Sequence, residues 1–178
     1  MKKQQGLSAK TVCLYAFLTG AALLFGYAEN FISFDFIAPG IKLGTSNVIV
    51  LFLVCNKNYK AAFFVNFARI LISALLFSNA LTLAFSLTAG MTALIFECLV
   101  NKFLKFGVVG LSVLGGTVHN ITQLCVAAAA VENGVWYYAP VLLVFGAIAG
   151  VITGILTGVL LKKTENYFNS FFKKEKGD

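Results

Sequence analysis

Long apolar stretches alternate with short polar connections along the whole chain. Six such stretches predict six helices, at about residues 11–28, 43–55, 59–77, 80–100, 107–131 and 140–161. A helix needs about 20 apolar residues to cross a bilayer. The second stretch is the exception, because its apolar run over residues 48–55 is too short to cross from the membrane surface. We therefore expect an all-α integral membrane protein, a six-transmembrane-helix bundle in which the second helix starts below the surface.

Composition supports this reading. The chain has 178 residues, of which 59% are hydrophobic and 12% are charged, whereas a soluble domain has about 25% charged residues. No sizeable soluble domain fits beside the helices. The predicted organisation is an N-terminal segment over residues 1–10, a membrane domain over 11–161 and a basic tail over 162–178.

The positive charge is distributed unevenly. Twelve of the fourteen Lys and Arg residues lie in the two chain ends, the connection between spans 2 and 3, and the connection between spans 4 and 5. The positive-inside rule then places these regions, including both termini, in the cytoplasm. The net charge of +7 indicates membrane topology and not a nucleic-acid partner, and the predicted location is the cell membrane.

The first connection, residues 29–42, leads into a short motif before the second helix. Pro39 and Gly40 favour a bend, and the Thr-Ser-Asn run over residues 45–47 is typical of a helix N-cap. A helix N-terminus attracts anions, and Lys42 adds a full charge nearby. We expect this stretch to form one wall of a ligand pocket that opens outward.

Arg69 lies about ten residues into the third span, near the middle of the membrane. An ionised side chain at that depth costs several kcal/mol unless it is paired or hydrated. Asn66 and Ser73 share its helix face by spacing. Two interpretations remain open: a structural network that ties Arg69 to carbonyl groups or to Glu97, and a contact with a ligand.

The fifth span carries a polar cluster in its middle. Gly116, Asn120 and Gln123 fall on one helix face, with His119 beside them. Such a cluster is expected to face the interior of the bundle, where it serves either as a binding surface or as a structural hydrogen-bonding group. The sixth span repeats a glycine every four residues, which favours close helix packing; these glycines are Gly146, Gly150, Gly154 and Gly158.

Several chemistries have no support in the sequence. There is a single histidine, and the four cysteines form no metal-ligand or redox pair. No phosphate-binding loop for ATP is present. Asp35 and Asp178 are the two aspartates, so a magnesium-diphosphate centre built from clustered aspartates is missing. The prediction is a protein without catalytic residues, metal or cofactor.

Two short motifs resemble one known family. Residues 40–44 with Asn47, and residues 118–121 with Gln123, resemble the signature stretches of the Gx transporter family, also labelled heptaprenyl diphosphate synthase component I. The resemblance extends over about residues 10–161. That family is similar to the substrate-binding S components of energy-coupling factor transporters. The resemblance therefore implies a vitamin-like ligand bound near the outer face, a transmembrane coupling subunit and two cytoplasmic ATPases.

The resemblance also implies roles for particular residues. Ala16 and Gly20 become candidates for the first-helix face that packs on the coupling subunit. We predict a substrate-binding subunit for an anionic or polar-headed molecule, with these candidate contacts: Lys42, Asn47, Arg69, His119, Asn120 and Gln123. Two alternatives remain. One is a non-catalytic membrane subunit of a flavin- or quinone-linked electron-transfer or isoprenoid-quinone system, with a flavoprotein partner. The other is a purely structural assembly subunit.

Overall fold

The computed structural model describes residues 9–29, 44–104, 106–130 and 133–176, with the side chains of the last helix described as far as residue 164. Within these ranges the chain is helical and contains no strand, which confirms the all-α prediction. The helices are α1 (Ala9–Glu29), α2 (Asn47–Cys55), α3 (Tyr59–Phe77), α4 (Ala80–Phe103), α5 (Val108–Ala130) and α6 (Ala139–Lys176), with a 3₁₀ helix (Asn133–Tyr138) before α6.

Five of these helices, α1, α3, α4, α5 and α6, are long and apolar enough to cross a membrane. The protein is therefore a multi-pass membrane protein. The sixth, α2, has nine residues; at 1.5 Å per residue it covers about 14 Å, roughly half of the hydrocarbon core. The prediction of six spans is not confirmed, because α2 is too short to be one of them.

The short helix α2 lies at the centre of the bundle. It packs against α1, α3, α4 and α6, while α5 packs between α4 and α6. Seven consecutive residues of α2, from Val48 to Val54, are buried. A helix that is apolar and buried all round belongs in a core, and α2 provides the centre of a buried apolar cluster in the described residues. The longer helices instead leave many large apolar side chains exposed for lipid.

Asparagine side chains set two of the sharp turns. The Asn58 carboxamide accepts the Ala61 N–H at 3.3 Å and caps α3. The Asn79 carboxamide accepts the Thr82 N–H at 2.8 Å and caps α4. These two turns lie at opposite ends of α3. We call the end with the α3–α4 turn and the 3₁₀ helix the hairpin end, and the opposite end the terminal end.

Close packing joins α5 to α6. A Cβ atom added at Gly150 would lie 2.6 Å from the Cα atom of Val113, and one added at Gly154 would lie 2.7 Å from the Cα atom of Val109. Gly146 is equally close to the Asn120 side chain. At Gly158 nothing lies within 4 Å. The predicted packing stripe is thus confirmed at three of its four glycines and ends before the fourth.

The last helix continues well past the predicted end of the sixth span. It runs without a break to Lys176, so most of the predicted basic tail is helical. Residues 162–176 contain no proline or glycine, and Lys and Glu are good helix formers. At 38 residues, α6 is about 57 Å long, much longer than the roughly 30 Å hydrocarbon core.

Candidate functional site

A cavity with both polar and apolar side chains in its wall lies inside the bundle between α2 and the hairpin end. Its volume is about 830 Å³, and all six helices and the 3₁₀ helix contribute to its wall. Near the hairpin end the wall includes Phe77 and Tyr138, and at depth it includes Asn47 and Ser112. Below Asn47 lie the buried apolar residues of α2. The cavity is therefore closed toward the terminal end by the core itself.

The structure brings five of the six predicted contact residues to this one wall: Asn47, Arg69, His119, Asn120 and Gln123. They come from α2, α3 and α5. Lys42, the sixth, lies outside the described residues. Contact with a ligand stays a prediction for each of them, but the expectation that the polar cluster of the fifth span faces the interior of the bundle is confirmed.

Arg69 is held by hydrogen bonds and not by an ion pair among the described residues. Its Nε donates to Asn66 Oδ1 at 3.0 Å, and its Nη1 donates to Ser46 Oγ at 2.7 Å. Asn66 Nδ2 in turn donates to the Gly90 carbonyl at 3.0 Å. A guanidinium carries five N–H donors, so three remain. Arg69 is half-buried and lines the cavity, where such donors can meet an oxyanion.

The start of α2 already holds an anion, supplied by the last residue of α1. Glu29 Oε1 accepts the Gly44 N–H at 2.7 Å, and its Oε2 accepts the Thr45 N–H at 2.9 Å and the Thr45 hydroxyl at 2.8 Å. Gly44 has a φ of +73°, a conformation that glycine adopts without strain. The partial positive charge of the helix terminus is thus met by an internal carboxylate.

This arrangement corrects two expectations. Glu29, predicted to begin the first connection, instead ends α1. Ser46 does precede α2, but its side chain makes no capping hydrogen bond and accepts one from Arg69 instead. The sequence indicated an N-terminal cap at residues 45–47 but not its chemistry, because the carboxylate that does the capping comes from another helix.

A second carboxylate lies behind the wall. Glu97 on α4 is 1% exposed, and Asn47 Nδ2 donates to its Oε1 at 3.4 Å. The Gly115 backbone packs directly on this carboxylate, where a Cβ atom would overlap it. The sequence predicts Glu97 as one candidate partner of Arg69. It does not predict the role of Glu29, whose signal is a lone acid at the end of an apolar helix.

The backbones of α5 and α6 lie close together on one side of the cavity. Asn120 Nδ2 donates to the Leu142 carbonyl at 2.6 Å and ties the two helices together. His119 has a partner within the chain. A Cβ atom at Gly116 would lie 2.7 Å from the Gly146 carbonyl oxygen. These glycines leave backbone groups close to the cavity, beside the polar face of α5.

The predicted packing residues Ala16 and Gly20 lie on the outside of the bundle. They line an apolar groove of about 530 Å³ between α1 and α3, whose other wall includes Phe64 and Phe67. A Cβ atom at Gly20 would meet nothing within 4 Å. Another helix could therefore approach this face closely.

The cavity offers hydrogen bonding and charge, and its described wall shows no metal centre. Among residues 9–29, 44–104, 106–130 and 133–176, no three His, Cys, Asp or Glu side chains lie close enough together to hold a metal ion. What the described wall does present is one guanidinium, one carboxylate, carboxamides and hydroxyls among apolar side chains, around a partly open volume. This arrangement is suited to binding a small polar molecule.

Comparison with known proteins gives one match. No curated protein and no solved structure matches the chain. The sequence model of the family described as heptaprenyl diphosphate synthase component I matches residues 18–160, a range that extends from α1 into α6 and includes the whole described cavity wall. This match confirms the family resemblance seen in the two short motifs. The chain belongs to the heptaprenyl diphosphate synthase component I family.

Proposed function

We propose that the protein is the membrane-embedded substrate-binding subunit of a small-molecule uptake transporter in the cell membrane, similar to an energy-coupling factor S component. Its family and its apolar helical bundle fit a non-catalytic membrane subunit. The ligand is a vitamin- or cofactor-like molecule with an anionic or otherwise polar head. The chain itself performs no chemistry on this ligand.

The observation that carries the proposal is the polar cavity around Arg69. Its volume of about 830 Å³ lies within the roughly 300–1,000 Å³ of small-molecule sites. An arginine with unused N–H donors binds carboxylate or phosphate groups through paired hydrogen bonds. Asn47 on one side and Gln123 on the other supply further donors and acceptors that orient the rest of the molecule.

The charge distribution supports access from outside. If the lysine-rich connections and both termini are cytoplasmic, as the positive-inside rule indicates, the hairpin end faces outward. The cavity then opens to the outside, and the α2 core separates it from the cytoplasm. Release to the cytoplasm would require α2 or its neighbours to move.

Uptake on this scheme needs partner subunits. The chain carries no phosphate-binding loop for ATP, so cytoplasmic ATPases would supply the energy through a transmembrane coupling subunit. The groove beside Ala16 and Gly20 is the proposed contact with that coupling subunit. Gly20→Leu should fill the groove and reduce copurification with the coupling subunit, while leaving ligand retention unchanged.

Mass spectrometry of the small molecules held by the purified protein tests the proposal. The protein, reconstituted in lipid nanodiscs, is incubated with a metabolite extract and washed. We expect at least one compound to be enriched on the native chain and reduced tenfold or more on Arg69→Gln. Thr88→Val serves as the matched control, since Thr88 is exposed and its hydroxyl bonds within its own helix. No enriched compound, or equal retention by all three proteins, would contradict the proposal.

One observation favours a second candidate function. The family's description refers to heptaprenyl diphosphate synthase, which connects it with isoprenoid-quinone chemistry. On this alternative the chain is a non-catalytic membrane subunit of a quinone- or flavin-linked electron-transfer system. Stable copurification with a redox flavoprotein, and with no ATPase, would favour this function over uptake.

A further inference from the structure

The ionisable groups of the cavity wall are nearly balanced in charge. Among the described residues that line it, Arg69 is the one permanent cation, and Glu29 is an opposing carboxylate. The buried carboxyl group of Glu97 lies behind them. The described wall therefore holds no excess of positive charge, and Lys42, the other candidate cation, lies outside the described residues. Against the described groups alone, a purely anionic head would leave one negative charge without a positive partner, which is unfavourable away from water.

Glu29 can accept one more hydrogen bond. A carboxylate offers about four acceptor positions. The Gly44 N–H occupies one on Oε1 and the Thr45 N–H one on Oε2. The Thr45 hydroxyl, whose one proton can go to Oε2 or to the Phe25 carbonyl oxygen, occupies at most a third. In either case one position remains on Oε1. Glu29 is 7% exposed, and it lines the cavity.

Glu29 and Arg69 are connected through two adjacent residues at the start of α2. Glu29 binds Thr45, and Arg69 binds the adjacent residue Ser46, whose Cα atom is about 3.8 Å away along the backbone. A negative and a positive side chain thus bind adjacent residues at the start of α2, and both line the cavity. Such a pair is complementary to a head group that carries both charges.

A further polar group on the same wall lacks a partner. The Ser112 hydroxyl oxygen is buried and has no hydrogen bond among the described residues, and the residue is 2% exposed. Burying a hydroxyl without a hydrogen bond is unfavourable. Ser112 lines the cavity, so a rotation of its side chain that exposes the hydroxyl would let a polar atom of a bound molecule satisfy it.

Resting on the proposed function, we infer that the ligand is zwitterionic: its anionic group binds Arg69, and a positively charged nitrogen bearing N–H groups binds Glu29. Glu29 then determines specificity as well as holding the start of α2. A molecule with the anionic group alone binds poorly, because it takes up the positive charge of Arg69 and leaves the Glu29 carboxylate with only the partial positive charge of the α2 terminus.

The test divides the metabolite extract by charge. At low pH a strong cation-exchange resin retains compounds with a basic nitrogen, including zwitterions, and passes anions that lack one. Each fraction is returned to neutral pH and incubated with the reconstituted protein. The compounds enriched on the native chain should come from the retained fraction. Enrichment confined to the unretained fraction would overturn the inference and leave the proposed function intact, whereas no enrichment from either fraction would overturn both.

Two variants separate recognition from folding. Glu29→Gln removes the charge and keeps an acceptor oxygen, so retention of the enriched compound should fall about tenfold. Thr45→Val removes one hydrogen bond to the same carboxylate but leaves its charge, so retention should change less than threefold even where thermal stability drops. Equal loss of retention in both variants would show that Glu29 acts through the fold alone and would overturn the inference.

Discussion

The Glu29 carboxylate caps α2 through Thr45, accepting both its backbone N–H at 2.9 Å and its hydroxyl at 2.8 Å. This contact joins the end of α1 to the start of α2 across sixteen residues of sequence. It meets the partial positive charge of the helix terminus, which would otherwise attract a free anion. The next residue, Ser46, accepts a hydrogen bond from Arg69.

The first prediction concerns the stability of this contact. Thr45→Val removes the hydroxyl that donates to a charged acceptor, and hydrogen bonds to charged groups contribute about 1.5–3 kcal/mol. We expect the free energy of unfolding, measured by titrating the protein from mild detergent into sodium dodecyl sulfate, to fall by about 2 kcal/mol. Thr88→Val, which removes an exposed hydroxyl bonded within its own helix, should cost less than about 0.5 kcal/mol. Equal losses would show that the Glu29 contact contributes nothing specific.

The second prediction concerns the packing of α6 on α5. Gly150→Ala would place a Cβ atom 2.6 Å from the Val113 Cα atom and 2.9 Å from the Ser112 carbonyl oxygen. Backbone atoms cannot yield locally, so the helices must separate, and overpacking of this kind costs about 1–3 kcal/mol.

Gly158→Ala is the matched control for that change. Gly158 lies on the same glycine stripe of α6, but nothing is within 4 Å of a Cβ atom added there. Because alanine favours helix more than glycine does, the substitution should leave the free energy of unfolding unchanged or raise it slightly. Similar destabilisation by both substitutions would contradict the close α5–α6 approach.

The third prediction tests the contact between Glu97 and Gly115. A Cβ atom at Gly115 would overlap the Glu97 carboxylate, so Gly115→Ala should destabilise the protein by about 1–3 kcal/mol. Truncating the opposing side chain with Glu97→Ala should relieve the overlap. In the double variant the free energy of unfolding should fall by less than the sum of the two single losses, and the difference should be at least about 1 kcal/mol. A coupling of this size is typical of residues in contact. Additive losses in the thermodynamic cycle would mean that the two residues are not in contact.

Apolar patterning was sufficient to predict the five long helices and their turns. The capping residues Asn58 and Asn79 sit where an apolar run stops, and both signals are local. The predicted sixth helix is too short, since α6 continues to Lys176. Hydropathy marks where a helix leaves the lipid and not where its backbone hydrogen bonding ends.

The candidate site was predictable in its parts but not in its charge balance. Arg69 and the face of α5 that carries Asn120 and Gln123 stand out because polar residues are rare in apolar helices, and they do line one cavity. The partner of the α2 terminus could not be read from the sequence. The bend that brings Glu29 to Thr45 depends on the tertiary packing of α1 beside α2, and no local pattern encodes it.

Accessibility of the cavity from outside tests the central claim most directly. In a chain whose four cysteines are replaced by alanine, Ser73→Cys places a thiol on the cavity wall, and Val50→Cys places one in α2, where Val50 is 0% exposed. A membrane-impermeant methanethiosulfonate added to intact cells should label Ser73→Cys and not Val50→Cys, and a metabolite extract that contains the ligand should slow the labelling. Labelling of Ser73→Cys from the cytoplasmic side alone, in inverted vesicles, would contradict an outward-opening binding cavity.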